Sequence, residues 1–234
     1  MTTDTTGLAI IDAALALAAE RSYLSVGLAD IATKAGVSLG ALRARYDGRI
    51  GILEAFARLI DERMLAGHDG SSAAETPRDR LFEVMMRRFD CLAPYRPGLR
   101  GLRRVALSDP IFAGVLNRIA VGSARWTLAS AGIEPGGPFA PIRSLARAQV
   151  LALITASVVP TFLEDDEAGL PKTMAALDKA LHRLDRLAGT VSRFEDACDG
   201  LFSCRPKKRR TAEPAAPPPH AAEPEAGTDM AAAI

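Results

Sequence analysis

The chain has 234 residues, 48% of them hydrophobic, 5% aromatic and 24% charged, with a formal net charge of +1. That length suits one or two domains and is enough to bury a sizeable core. Three cysteines (Cys91, Cys198, Cys204) make no disulfide framework, and none has zinc-ligand spacing. Cys91 is expected as a small buried apolar residue. Ala and Leu are prominent and β-branched clusters are scarce, which points to an all-α protein. No apolar run has the length expected of a bilayer span, and the N-terminus MTTDTTGLAII lacks a basic region and a cleavage signal. A soluble, cytoplasmic chain without stable membrane insertion is expected.

The first helix is expected from about Gly7 to Arg21, with Leu8, Ile11, Ala14, Leu15 and Ala18 on its apolar face. Ser22 to Ser25 is a short connector. From Leu28 to Leu53 the chain reads LADIATKAGVSLGALRARYDGRIGIL. Leu28, Ile31, Ala32 and Ala35 share one helical face, Gly36 is placed to end that helix, and Ser38 is a good N-cap for the next. The second helix of the pair runs from Leu39 to Tyr46, with Leu39, Leu42 and Tyr46 on one side. Two short helices joined by a turn containing Gly form a helix-turn-helix, whose second helix can enter a major groove.

This stretch resembles the DNA-binding domain of the TetR family of bacterial transcription regulators. The resemblance rests on Asp30-Ile31-Ala32, Ala35-Gly36-Val37-Ser38, Gly40-Ala41-Leu42, Tyr46 and Arg49, with Leu53 and Phe56 behind them. It covers about the first quarter of the chain. Where the family usually carries an aromatic residue, His and Lys, this chain has Arg43, Arg45 and Arg49; where the family usually caps the first helix with Thr or Ser, it has Gly27. The resemblance implies a TetR-like dimer that reads double-stranded DNA, a repressor relieved by a small apolar ligand. The DNA surface would comprise Lys34, Ser38, Leu39, Gly40, Arg43, Arg45, Tyr46 and Arg49. Ser38 would meet a phosphate, Arg43 and Arg45 would reach base edges or phosphates, Tyr46 would mainly pack, and Lys34 and Arg49 would flank the site as phosphate contacts. The plainer alternative is that Arg43, Arg45 and Arg49 are solvated faces of a bundle.

A helix from Ile50 to about Ala66 follows, and Gly67 to Pro77 is a loop by composition. The domain boundary falls there, giving a helix-turn-helix domain over 1–66 (core about 28–47) and a helical ligand-binding and dimerisation domain over 77–202. Helices are expected over Arg78–Leu92, Leu99–Leu107, Pro110–Ala131 and Phe139–Leu163. Pro94 to Gly98 reads as a break, Ser108-Asp109-Pro110 as a cap, and Gly132 as a stop. The stretch Val150–Val159 is apolar nearly all round and is expected to be buried, with Pro160 bending or ending its helix. Glu164 to Glu167 reads as an acidic helix entrance. A last helix carries Met174, Leu177, Leu181, Leu184, Leu187, Val191 and Phe194 as a stripe suited to core or to a second subunit. Residues 203–234 are rich in Pro and Ala and are expected to be disordered, with a basic cluster Lys207 to Arg210.

Met85, Phe89, Phe112, Leu116 and Trp126 are candidates to line a ligand pocket, with ordinary core as the plainer alternative. The histidines His68, His182 and His220 are scattered, and no phosphate loop or nucleophile elbow is found. A non-enzyme without cofactor or metal is expected. Charge is uneven: residues 1–64 carry seven Lys/Arg against eight Asp/Glu, and residues 76–126 carry ten against four. A DNA reader usually shows a basic footprint, which the first domain has only locally.

A second resemblance keeps another function open. Phe162 to Asp166 and Thr173 to Asp178 are similar to the C-terminal part of lipid-binding accessory proteins of coenzyme Q biosynthesis. Those proteins resemble TetR regulators in fold without reading DNA. There Arg96, Arg100, Arg103 and Arg104 would face anionic headgroups, and the bundle would enclose an isoprenoid tail. A bundle serving only as a protein-interaction partner is a third possibility.

Overall fold

The computed structural model describes residues 5–66, 76–133 and 140–184, all within one compact unit spanning residues 1–190. The regular elements among them are helices: α1 (Thr5–Glu20), α2 (Leu28–Ala35), α3 (Leu39–Arg45), α4 (Arg49–Ala66), α5 (Pro77–Leu92), α6 (Arg96–Ser108), α7 (Pro110–Ser130), α8 (Ala140–Glu164) and α9 (residues 171–184). Short 3-10 turns at Tyr23–Ser25 and Ala93–Tyr95 join α1 to α2 and α5 to α6. Most of the loop expected over Gly67 to Pro77, the last helix beyond residue 184 and the tail with Lys207 to Arg210 lie outside the described residues.

Polar side chains start the helices. Thr76 Oγ1 accepts from the Asp79 amide at the head of α5. Asp109 Oδ1 accepts from the Ile111 and Phe112 amides, with Pro110 in the first turn where no amide is needed. The acidic run after α8 is more specific than a diffuse charge at a helix entrance. Asp165 is fully buried, and its Oδ2 accepts from the Thr173 amide at 2.7 Å and the Thr173 hydroxyl at 2.8 Å. Burial works to raise this carboxyl, but the bonds from Thr173 and the nearby Lys172 charge hold it below the ordinary carboxylate range.

Three expectations are corrected. Pro94 to Gly98 is not a break: a 3-10 turn leads straight into α6, which already contains Pro97 and Gly98. Pro tolerates a first turn because its missing amide has no partner there. Pro160 does not end α8, which continues to Glu164. Pro160 lies in the penultimate turn and frees one carbonyl, that of Ala156 four residues back. Nor is Val150–Val159 buried all round: Leu151, Ala152 and Val158 are, whereas Val150 and Leu153 are exposed. Moreover, α8 is the one helix among the described residues that is long and apolar enough to cross a membrane by length and composition. Its inner face packs along α7.

Two hydrophobic clusters organise the bundle. The first joins α1, α2, α3 and the front of α4 to Leu102 and Val105 of α6 and Phe112 of α7. The second joins Met64 at the end of α4 to α5, the back of α7, α8 and α9. The first is unusually tight where α6 crosses α1. A Cβ on Gly101 would stand 1.8 Å from the Ala18 carbonyl oxygen, and one on Gly98 would stand 2.7 Å from that of Leu15. Only glycine permits such backbone contact.

Candidate nucleic-acid interface and the cavity behind it

The α2–α3 turn follows local rules. Gly36 ends α2 with φ +68°, a left-handed conformation that costs glycine little, and the Val37 amide reaches back to the Ala32 carbonyl. Ser38 Oγ then accepts from the Ala41 amide at 3.1 Å and starts α3. Gly27 offers α2 no side chain, but Asp30 accepts from its amide instead, which supplies half of a capping box.

Inner contacts fix how α3 presents its outer face. Leu42 is buried among the first cluster, and half-buried Tyr46 donates from Oη to the Gly7 carbonyl at 3.3 Å. Ser38, Leu39, Gly40, Arg43 and Arg45 are exposed on the outer surface. Leu39, which shares a side of α3 with Leu42 and Tyr46 in the sequence pattern, is 53% exposed. Nothing crowds Gly40 beyond its neighbour Ser38, so another surface can come close to the backbone there. Arg43 pairs with Asp47 one turn on at 2.7 Å. Both are largely exposed, so this pair is worth only a few tenths of a kcal/mol and yields readily to a phosphate or a base. Lys34 pairs with Glu20 of α1 and is also exposed.

Arg49 has an architectural role that its sequence context does not reveal. Its Nη1 donates to the carbonyls of Tyr23, Leu24 and Val26 at 3.1, 2.6 and 3.1 Å. In return the buried Tyr23 donates its hydroxyl to the Arg49 carbonyl at 2.8 Å. Arg49 therefore clamps the α1–α2 connector to the head of α4. Burial pushes the Tyr23 phenol well above its usual range, against the pull of the Arg49 charge.

Behind this head lies a cavity of about 490 Å³ among α4, α6, α7 and α8, with the end of α5. Of the five pocket candidates, Leu116 lines it. Met85 and Phe89 are fully buried core instead, with Phe89 standing 5.0 Å from the ring of Phe162, which itself lines the cavity. Phe112 packs in the first cluster, its ring 6.0 Å from that of Tyr23. Trp126 is 58% exposed on an adjoining groove of about 670 Å³ between α4 and α7, which shares Ala57, Ile119 and Ser123 with the cavity. Sequence periodicity marks apolar residues but does not distinguish those that meet another side chain from those that meet a void.

Sequence reasoning misses a polar group that reaches the cavity through Arg88 and Ser123, with Asp61 on the adjoining groove. Asp61 of α4, Arg88 of α5 and Ser123 of α7 are mutually hydrogen-bonded, with Arg88 donating to the Asp61 carboxylate and to Ser123 Oγ, and Ser123 donating to Asp61. Asp61 and Ser123 are buried, and the group ties three helices together. Of the basic stretch on α6, Arg100 donates to the Leu163 carbonyl, and both Arg96 and Arg100 face Asp166. Arg103 lines the cavity and Arg104 is exposed.

Residues 10–56 match the family described as bacterial regulatory proteins, tetR family. No curated protein matches the chain at a significant level. Among solved structures, it is similar to a TetR transcriptional regulator from Nitrosomonas europaea, at 22% identity and TM-score 0.57, covering 77% of this chain and 98% of that one. It is also similar to a TetR transcriptional regulator from a Rhodococcus species, at 22% identity and TM-score 0.50, covering 77% and 95%. Residues 10–56 thus carry the tetR-type N-terminal domain, and the chain shares the fold of these regulators.

Proposed function

We propose that this chain is a transcriptional repressor that binds an operator through α3 as a homodimer and releases it when a small apolar ligand fills the cavity. The observation that carries the reading is the build of α3: anchored inwardly by Leu42 and Tyr46, it turns Ser38, Leu39, Gly40, Arg43 and Arg45 outward. Recognition helices do this when they lie in a major groove. Arg43 and Arg45 supply local positive charge that the head as a whole lacks. Two copies are needed to place two such helices one turn of duplex apart. Ile142, Leu145, Val150 and Leu153 of α8, with Met174 of α9, are exposed apolar side chains suited to cover one another in a dimer. The site binds rather than catalyses.

The test is binding to a duplex from the chain's own upstream intergenic region, against random duplex, over a salt series. Saturable, preferential binding by two chains per site that weakens steeply with salt supports the reading, and the slope counts phosphate contacts. Arg43→Ala should cost roughly 1–3 kcal/mol on the specific duplex if Arg43 reads a base edge. The other reading, a lipid carrier of the same fold that ignores DNA, draws on the same cavity. Lack of any preference over random duplex, with Arg43→Ala indistinguishable from the parent, would favour it.

A further inference from the structure

We propose that the cavity selects an anionic amphiphile, an acidic head at Arg103 with an apolar chain running inward along α7. This deepens the ligand-responsive reading above and rests on it.

The lining is mostly apolar, and the distribution of charge within it is one-sided. Its two charged residues are both arginines, Arg88 and Arg103, and no described carboxylate lines it. The two differ in what they have left to give. Arg88 is largely buried and engaged by Asp61 and Ser123, so its charge is already neutralised. Arg103 is exposed and makes no ion pair or hydrogen bond among the described residues. One uncompensated cation therefore stands at the rim of an apolar hollow.

Position supports the same orientation. Arg103 sits one turn beyond Arg100, which grips the end of α8, and it lines the hollow together with Ala156, Val159 and Pro160 of α8. A carboxylate or sulfate paired with Arg103 at this rim keeps part of its hydration, and so avoids the cost of burying a charge. The apolar chain takes the interior. Both Ala113 and Ser123 of α7 line the cavity, and ten residues of helix span roughly 15 Å. That length suits a medium alkyl chain lying along α7. A neutral alcohol of the same length gains the burial without the charge pair, and a cationic amine meets Arg103 as a like charge.

The experiment is calorimetric titration of the full chain with dodecanoate, dodecanol and dodecylamine, each below its micelle threshold, repeated with Arg103→Gln and Arg103→Lys. Dodecanoate should bind the parent roughly tenfold more tightly than dodecanol, as a charge-assisted contact at an exposed rim warrants, and dodecylamine should bind worst. Arg103→Gln should remove the preference for dodecanoate without changing dodecanol affinity, and Arg103→Lys should restore most of it. Arg103 is exposed, so neither variant should disturb the fold; equal melting temperatures check this. Equal affinity for all three amphiphiles, or a dodecanoate preference that survives Arg103→Gln, overturns the head-group assignment and leaves the cavity reading standing. Failure of all three to bind the parent overturns both.

Discussion

The two hydrophobic clusters solve packing in opposite ways. In the first, α6 lies so close on α1 that glycine backbones touch the carbonyls of Leu15 and Ala18. In the second, side chains of α5, α7, α8 and α9 interlock, and between the two clusters a hollow of about 490 Å³ remains. The same helix serves both. Gly98, Gly101 and Val105 of α6 are buried on the α1 side, while Leu99, Leu102, Arg103 and Ala106 line the hollow. A close-packed contact transmits displacement, whereas a hollow accepts a guest. On the proposed reading, that pairing lets a ligand in the cavity move the head that carries α3.

The sharpest way to break the tight side is Gly101→Ala. Its Cβ would overlap backbone that cannot rotate away, so a loss of about 4 kcal/mol or more is expected, measured by denaturant midpoint. Gly114→Ala on α7 is the control: nothing lies within 4 Å, and the change should be neutral or stabilise by up to about 1 kcal/mol.

The looser side depends on the Asp61–Arg88–Ser123 group. Asp61→Ala would leave Arg88 largely buried without its carboxylate and should cost about 3–5 kcal/mol. Asp61→Leu combined with Arg88→Met should recover much of that loss, which a double-mutant cycle would read. Arg49→Ala comes next. It removes a cation shared by three carbonyls and should cost roughly 1–3 kcal/mol of stability, seen as a lower melting temperature. If it instead lowers the salt slope of DNA binding with no change in melting, Arg49 is a phosphate contact after all.

The smallest effect concerns pH. Because the folded carboxyl of Asp165 is held below its unfolded value of about 3.9, its contribution is fully present above that value. It is lost as pH falls through the lower folded value. Asp165→Asn should flatten that acid limb in thermal melts taken across the range.

The α2–α3 turn is legible in the sequence because its rules are local: the Gly36 stop, the Ser38 cap and the inward Leu42 depend only on near neighbours. The Asp109-Pro110 start of α7 is legible for the same reason. Gly98 misleads because in sequence it marks a break, while its use here is to let a distant helix approach. The spacing of Gly98 and Gly101 within a helical pattern is the signal that points to this use. The role of Asp61 has no local signal, since its partners come from α5 and α7. Arg49 reads as free because its acceptors are backbone carbonyls more than twenty residues away. Which apolar residues face the cavity depends on how four helices diverge, and no periodicity encodes that.

The most direct test of the account is the affinity of the parent chain for its operator duplex, measured at one salt concentration with the cavity empty and with it saturated by dodecanoate. The account predicts weaker operator binding on saturation, and an equal weakening of dodecanoate binding when operator is present, because coupling between two sites is reciprocal. Operator affinity unchanged by a bound ligand would contradict it.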